Sequence, residues 1–263
     1  FGAAAALALA PWYLWPLMVF GFSGLLWLLQ GPPDTGRGAD RRTGRDTGRN
    51  FAYGWAFGIG YFLVGLHWVG HAFLVDAARF AWMMPFALLA LSAGLGLFPA
   101  VATALAGRFS HPGLGRLLAL TLFWGLTEWL RGSMLTGFPW LLSGHVWAGS
   151  DIGLQAAAYL GVSGLGLLAV LAAAAPALLL SRSPRVRKRG LLVNAAILAL
   201  VGLTMGLALL RWQDAEIDHH PGVRLRLVQA GIAQADKWRP ELRDRHLALY
   251  LSLSLGLDKA GQP

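Results

Sequence analysis

Cysteine is absent from all 263 residues, which removes disulfides, thiolate zinc sites and a cysteine nucleophile from this stretch of chain. Charge is scarce too. Only 13% of the residues are Asp, Glu, Lys or Arg, where soluble domains carry about 25%. No phosphate-binding loop, dinucleotide fingerprint or serine nucleophile elbow occurs anywhere along it. What fills the space is apolar: 56% of the residues are hydrophobic, more than a water-soluble fold of this length can readily hide.

Five apolar runs, residues 51–75, 82–107, 115–130, 155–180 and 191–210, reach or approach the roughly 20 residues a helix needs to cross a bilayer. A sixth, Leu14 to Leu29, is shorter and has aromatic flanks. Phe1 to Ala10 reads as the tail of another helix whose beginning is missing, because it has neither the basic start nor the cleavage site of a secretory signal. The expected fold over residues 1–212 is an all-α polytopic membrane helix bundle of about seven spans, the first partial. In the third span Gly54, Gly58 and Gly65 recur near one helix face, a pattern suited to close helix packing.

A formal charge of +9 invites a nucleic-acid reading, but the placement of the cations argues against it. Arg37, Arg41, Arg42, Arg45 and Arg49 precede the third span, Arg108 and Arg116 flank the link between the fourth and fifth, and Arg182, Arg185, Arg187, Lys188 and Arg189 precede the seventh. These are alternate loops. The intervening ones hold only Arg79 and Arg131, so the positive-inside rule puts the Arg-rich loops in the cytoplasm and whatever follows Trp212 on the far side. Residues 31–50, GPPDTGRGADRRTGRDTGRN, are polar and glycine-rich and are expected to be flexible, with neutralisation of anionic headgroups as sufficient reason for their charge.

Composition changes after Gln213. Residues 213–222 read as a polar linker, and residues 223–263 as the start of a second, extracytoplasmic domain. Val223, Leu225 and Leu227 alternate with Arg224 and Arg226, the period of a strand with one buried face. From Pro240 the pattern is helical, with Pro at a first helical position, Glu241 beside it, and Leu242, Leu249 and Leu253 on one face. One strand and one helix do not make a core, so the domain is expected to continue past Pro263.

Few residues offer chemistry. Glu128 and Arg131, three apart at the outer end of the fifth span, form either a structural ion pair or an electrostatic contact for a lipid headgroup or peptide terminus. The following stretch, with Thr136, Gly137, Phe138, Pro139 and Trp140, suits the headgroup layer as an aromatic belt or as the lip of a substrate cavity. His67 and His71, with Asp76 nearby, have the spacing of a two-imidazole site, but there is no intervening Glu and no evident third ligand; packing or interfacial hydrogen bonding is preferred to a metal. Taken alone, the residues define a seven-span membrane domain carrying the first pieces of an extracytoplasmic one.

Three segments, in order, resemble the bacterial apolipoprotein N-acyltransferases: FAYGWAFGIGYFLVGLHWVG at 51–70, TEWLRGSMLTGFPWL at 127–141, and RLVQAGIAQADKW at 226–238. The second is the most specific. The third looks like the entry strand and loop of the family's nitrilase-like αββα domain. The resemblance implies a multi-pass inner-membrane enzyme with a periplasmic C-terminal domain, needing no cofactor. It takes an acyl chain from a membrane phospholipid and passes it to the α-amino group of the diacylglyceryl-modified N-terminal cysteine of an apolipoprotein. It also implies a Glu base, an oxyanion-stabilising Lys and a Cys that carries the acyl group as a thioester, all expected past Pro263, so that these residues alone would be inactive. Trp238 matches a tryptophan of an active-site loop in the family, with Gln229, Gln234 and Lys237 as motif neighbours. Gly231 and Ala233 depart from the Asn or Asp and Pro that are frequent there, and His145 and Trp147 from a common Tyr and Gln. A transporter or scaffold, and a membrane-tethered nitrilase-like amidase, are the rival readings.

Overall fold

In the computed structural model, the described residues are 1–31, 39–134, 136–180, 184–213, 222–223 and 225–256, with the side chains of 39–46 excluded. The chain divides into two units, Phe1–Gly70 with Trp82–Ala215, and His71–Ala81 with Glu216–Pro263.

The first unit is helical: α1 (Gly2–Ala6), α2 (Pro16–Gln30), α3 (Ala39–Gly65), α5 (Met84–Phe109), α6 (Leu114–Ser133), α7 (Asp151–Ala174) and α8 (Pro184–Gln213), with short 3-10 turns between them. A four-residue α4 (Ala77–Phe80) lies in the second unit. Local chemistry sets several ends. Pro16 opens α2 at a position where its missing N–H costs nothing. Ser150 caps α7, its hydroxyl accepting from the Gly153 N–H at 3.0 Å, with Asp151 in the first turn facing the positive end of the dipole.

Among the described residues, three helical runs, Ala77–Phe109, Asp151–Leu180 and Pro184–Gln213, are long and apolar enough to cross a membrane, and a fourth is if Thr47–Gly65 and His67–Leu74 make one broken span. This is fewer than the seven runs of the sequence reading, for identifiable reasons. The run at 115–130 forms α6, but Arg116, Glu128 and Arg131 dilute its hydropathy. Leu14–Leu29 yields the 15-residue α2, roughly 22 Å long at 1.5 Å per residue, and Phe1–Ala10 yields only the five-residue α1. Apolar side chains nevertheless face outward, as a bilayer requires and water does not. On α8, Leu191, Leu192, Leu198, Leu203 and Leu210 are all exposed.

α3 and α5 pack where their small residues meet. A Cβ on Gly54 would lie 2.0 Å from Thr103 Oγ1 and 2.5 Å from the Pro99 carbonyl oxygen, and one on Gly58 would lie 2.7 Å from Gly96 Cα. The Thr103 hydroxyl donates across the seam to the Asn50 carbonyl at 2.8 Å. Gly65, by contrast, receives the Leu141 side chain. At the centre, Trp124 of α6 meets Phe22 of α2 edge-on at 4.7 Å and Phe57 of α3 at 5.6 Å, the quadrupole-favoured arrangement of buried rings.

Two local expectations differ from the structure. Residues 39–50, read as part of a flexible loop, continue α3 as helix; extending an existing helix avoids the cost of nucleating one. Residues 32–38 of that loop, and 214–221 of the polar linker, lie outside the described residues. In the second unit no strand occurs among the described residues of the expected segment Val223–Leu227, and Val223 and Leu227 are 56% and 98% exposed. A strand is held by a ladder to a neighbour, and no described segment offers one. The expected helix is present as α9 (Arg243–Leu255), entered through a 3-10 turn at Pro240–Leu242. Arg226 secures its far end by donating to the carbonyls of Ser254 and Gly256, yet no described residue of this unit is buried.

The glycine seam gives a direct test. Gly54→Ala is expected to destabilise the membrane unit by about 1–3 kcal/mol through overpacking. Gly202→Ala, with nothing within 4 Å of its new Cβ, should be neutral or slightly stabilising; detergent-solubilised unfolding of both variants is the measurement.

Candidate functional site

Trp124, Glu128 and Arg131 stand at i, i+4 and i+7, so they share one face of α6. That face points inward: Trp124 and Arg131 are each only 3% exposed, whereas Leu126 and Trp129 on the other side are exposed. A guanidinium and a carboxylate in such surroundings cost several kcal/mol unless fully hydrogen-bonded, and each has found partners in the segment that follows.

The chain leaves α6 through a tight turn. The Met134 N–H reaches the Leu130 carbonyl at 2.7 Å, Gly137 N–H that of Met134 at 2.8 Å, and Phe138 N–H that of Arg131 at 2.8 Å. Gly137 has φ +79°, and a Cβ there would lie 2.3 Å from the Gly132 oxygen, so only glycine fits. The loop then passes back over the helix end. Arg131 Nη1 donates to the Phe138 carbonyl at 2.7 Å and the Trp140 carbonyl at 2.6 Å, and the guanidinium carbon sits 5.1 Å from the Phe62 ring centre. Glu128 Oε1 accepts from both the N–H and the hydroxyl of Ser143, each at 2.9 Å. The indole N–H of Trp124 completes the chain, donating to the Ser143 hydroxyl at 2.9 Å.

Glu128 and Arg131 therefore do not form the ion pair that their spacing allowed. They clamp opposite ends of one loop, Arg131 through carbonyls and Glu128 through donors. Phe138 is half-buried, while Trp140 is 54% exposed and lies 5.5 Å from the Trp68 ring. Pro139 lies between them, rigid and without an N–H to satisfy. Beyond the clamp, His145 is half-buried, and burial first, then the Arg131 charge, hold its imidazole below the ordinary range. Trp147 donates to the Leu165 carbonyl at 3.0 Å, fastening the turn Ser143–Gly149 to α7. His67 is engaged locally, its Nδ1 lying 2.8 Å from the Val64 carbonyl oxygen and its ring 5.2 Å from that of Trp12.

The remaining candidates belong to the second unit. Lys237 Nζ lies 5.6 Å from the Trp238 ring centre, and Trp238 is 79% exposed. Gln234 sits in the turn closed by the Asp236 and Lys237 N–H groups on the Ala233 carbonyl, at 3.0 and 3.1 Å. An ion pair of 3.4 Å joins Asp236 to Arg239. Gln229 lines an open cavity of about 400 Å³ with Arg226, Val228 and Ser252. Gly231 has φ +63°, which accounts for a glycine there, and an Asn would also tolerate it.

Sequence reasoning missed Ser143, Tyr61 and Trp124. Trp124 was readable, one helical turn before Glu128. Ser143 and Tyr61 carry no local signal, since only the fold brings them to the clamp.

An inward face of ionisable groups within an apolar helical unit defines a class, a helical membrane domain with a built polar site at one end of its bundle. The family profile described as "Apolipoprotein N-acyltransferase N-terminal domain" matches residues 1–175, and this chain belongs to the apolipoprotein N-acyltransferase family. Among curated relatives of that name, it is 36% identical over 255 residues to the protein from Rhodopseudomonas palustris, covering 96% of this chain and 46% of the relative. It is 40% identical to the proteins from Allorhizobium ampelinum, over 256 residues, and Rhizobium rhizogenes, over 259 residues, in each case with 94% of this chain and 46% of the relative covered. The chain spans about half the length of the curated relatives it matches.

The clamp predicts an asymmetry between substitutions. Glu128→Gln keeps an Oε1 acceptor for Ser143 and should cost little. Glu128→Ala strands two donors and should lower unfolding stability by about 2 kcal/mol, and Arg131→Ala by about 3 kcal/mol through loss of two charge-assisted bonds; denaturant titration in detergent reads all three.

Proposed function

We propose that this chain forms the membrane half, and the opening of the outer domain, of an enzyme that moves an acyl chain from a membrane phospholipid onto the α-amino group of the N-terminal diacylglyceryl-cysteine of an apolipoprotein. Family membership supports the reaction class. The observation that carries the reading on this chain is the Glu128–Arg131 clamp, in which a half-buried carboxylate and a buried guanidinium fix the shape of one short loop.

In this reading α1, α2, α3, α5, α6, α7 and α8 are the seven spans, the first partial, in a bacterial inner membrane. The Arg-rich start of α3, the facing ends of α5 and α6, and the start of α8 face the cytoplasm. The loop from Met134 to Leu142 and everything after Gln213 then face the periplasm, where Val223–Leu227 pairs as the entry strand of a nitrilase-like αββα domain. Phe138, Pro139 and Trp140 form the lip of a cavity open sideways to lipid, through which phospholipid and then lipoprotein approach. Trp238, with Lys237, Gln234 and Gln229, borders the acyl-transfer centre. The nucleophile is not among these residues, since they contain no cysteine.

Two measurements test this. In the full-length protein, Trp238→Ala and Arg131→Ala should each lower kcat/KM for acylation of a diacylated lipopeptide about tenfold or more, equal to ~1.4 kcal/mol of transition-state stabilisation; unchanged turnover in both removes the site assignment. A protease site or tag beside Val223 should be accessible from the periplasm, and access from the cytosol alone would overturn the topology.

A further inference from the structure

Leu141 is one of two non-glycine residues with positive φ among the described residues, at +55°. An L-residue there is strained and persists only where its neighbours over-determine it. Three backbone groups between Trp140 and Ser143 are held. Arg131 takes the Trp140 carbonyl at 2.6 Å, the Tyr61 hydroxyl donates to the Leu141 carbonyl at 3.1 Å, and Glu128 takes the Ser143 N–H at 2.9 Å. The Leu141 side chain is received at Gly65, where a Cβ would stand 2.3 Å from its Cδ1.

We propose that Tyr61 is a positioning residue: its hydroxyl, by holding the left-handed turn at Leu141, sets the place of Trp140 against Trp68 at the rim of the membrane unit. The consequence for catalysis rests on the reading of Phe138–Trp140 as the substrate lip. Arg131 and Glu128 both come from α6, so by themselves they tie the loop to a single helix. Tyr61 comes from α3, the helix that leads into Trp68. It alone among these polar contacts fixes the loop relative to the second helix and thereby the Trp68–Trp140 pair. Its own position is rigid. The side chain is 1% exposed, stacked at 6.2 Å on Phe57 and edge-on at 5.4 and 6.4 Å to Phe62 and Trp124. The left-handed turn sends successive side chains apart, Leu141 into the Gly65 notch and Trp140 outward.

The experiment uses full-length protein in vesicles of phosphatidylethanolamine and phosphatidylglycerol, labelled with 5-fluorotryptophan, the Trp140 resonance being assigned by Trp140→Phe. Tyr61→Phe removes only the hydroxyl and keeps the ring packing; Gly65→Ala, which expels the Leu141 side chain, is the second variant. Both should shift and narrow the Trp140 resonance towards that of a mobile ring. They should also raise KM for the lipid substrates about fivefold with kcat within about a factor of two, the pattern of lost binding rather than lost chemistry. An unmoved Trp140 resonance in both variants overturns the proposal, whatever the kinetics. If the resonance moves but Trp140→Ala leaves both KM values unchanged, Tyr61 positions the loop as proposed, and what fails is the reading of that loop as the substrate lip.

Discussion

A buried guanidinium is the constraint on which the rest of this site depends. Arg131 has lost nearly all its contact with solvent, and a cation in that position is tolerated only if its donors are used. The nearest available acceptors are the carbonyls of Phe138 and Trp140, which lie within reach only if the chain reverses immediately after α6. Gly137 permits that reversal and no other residue type would. The requirement of one side chain thus becomes the path of a nine-residue segment. Glu128 applies the same logic with opposite sign, its carboxylate taking the donors of Ser143.

Around this clamp the helices are arranged by two different kinds of contact. Between α3 and α5 the backbones approach through glycines and Pro99, because in lipid there is little hydrophobic gain from burying one apolar side chain against another, and close van der Waals contact with a few hydrogen bonds must serve instead. Between α2, α3 and α6 large rings interlock about Trp124. That indole both fills the centre of the bundle and donates to Ser143, so the packing of the core and the shape of the loop are not independent. A change at Phe22 or Phe57 would reach the loop through Trp124.

The second unit follows another rule. Its exposed leucines and unpaired extended segment are what a strand and a helix present when no sheet lies beside them, since a strand is stabilised by cross-strand pairs and an amphipathic helix by the surface it covers. Its internal order comes from the local Ala233–Lys237 turn and from the Arg226 bonds across about 30 positions to the end of α9, neither of which needs a core. Trp238 is 79% exposed, with the ammonium of its neighbour Lys237 over its ring.

Apolar run lengths placed every large helix of the membrane unit, because a segment of about 20 apolar residues has few alternatives to a helix in a medium without water. The glycine spacing in α3 and the adjacency of Glu128 and Arg131 on one side of α6 were likewise legible, since both follow from a period of 3.6. Whether Glu128 and Arg131 pair with each other was not legible, because i, i+3 spacing makes two charges neighbours but does not rank a neighbour against a backbone group brought round by a turn. The strand at 223–227 was read from an alternation that is real in the residues but needs a partner to become structure. What the sequence determined by itself was therefore whatever depends on local period and solvent: helices, membrane preference and candidate polar residues. Tertiary structure alone decided that Ser143 and Tyr61 belong to the site and that Leu141 takes a left-handed turn, because those depend on which groups meet across 15 and 80 positions of chain, a distance over which no local pattern carries information.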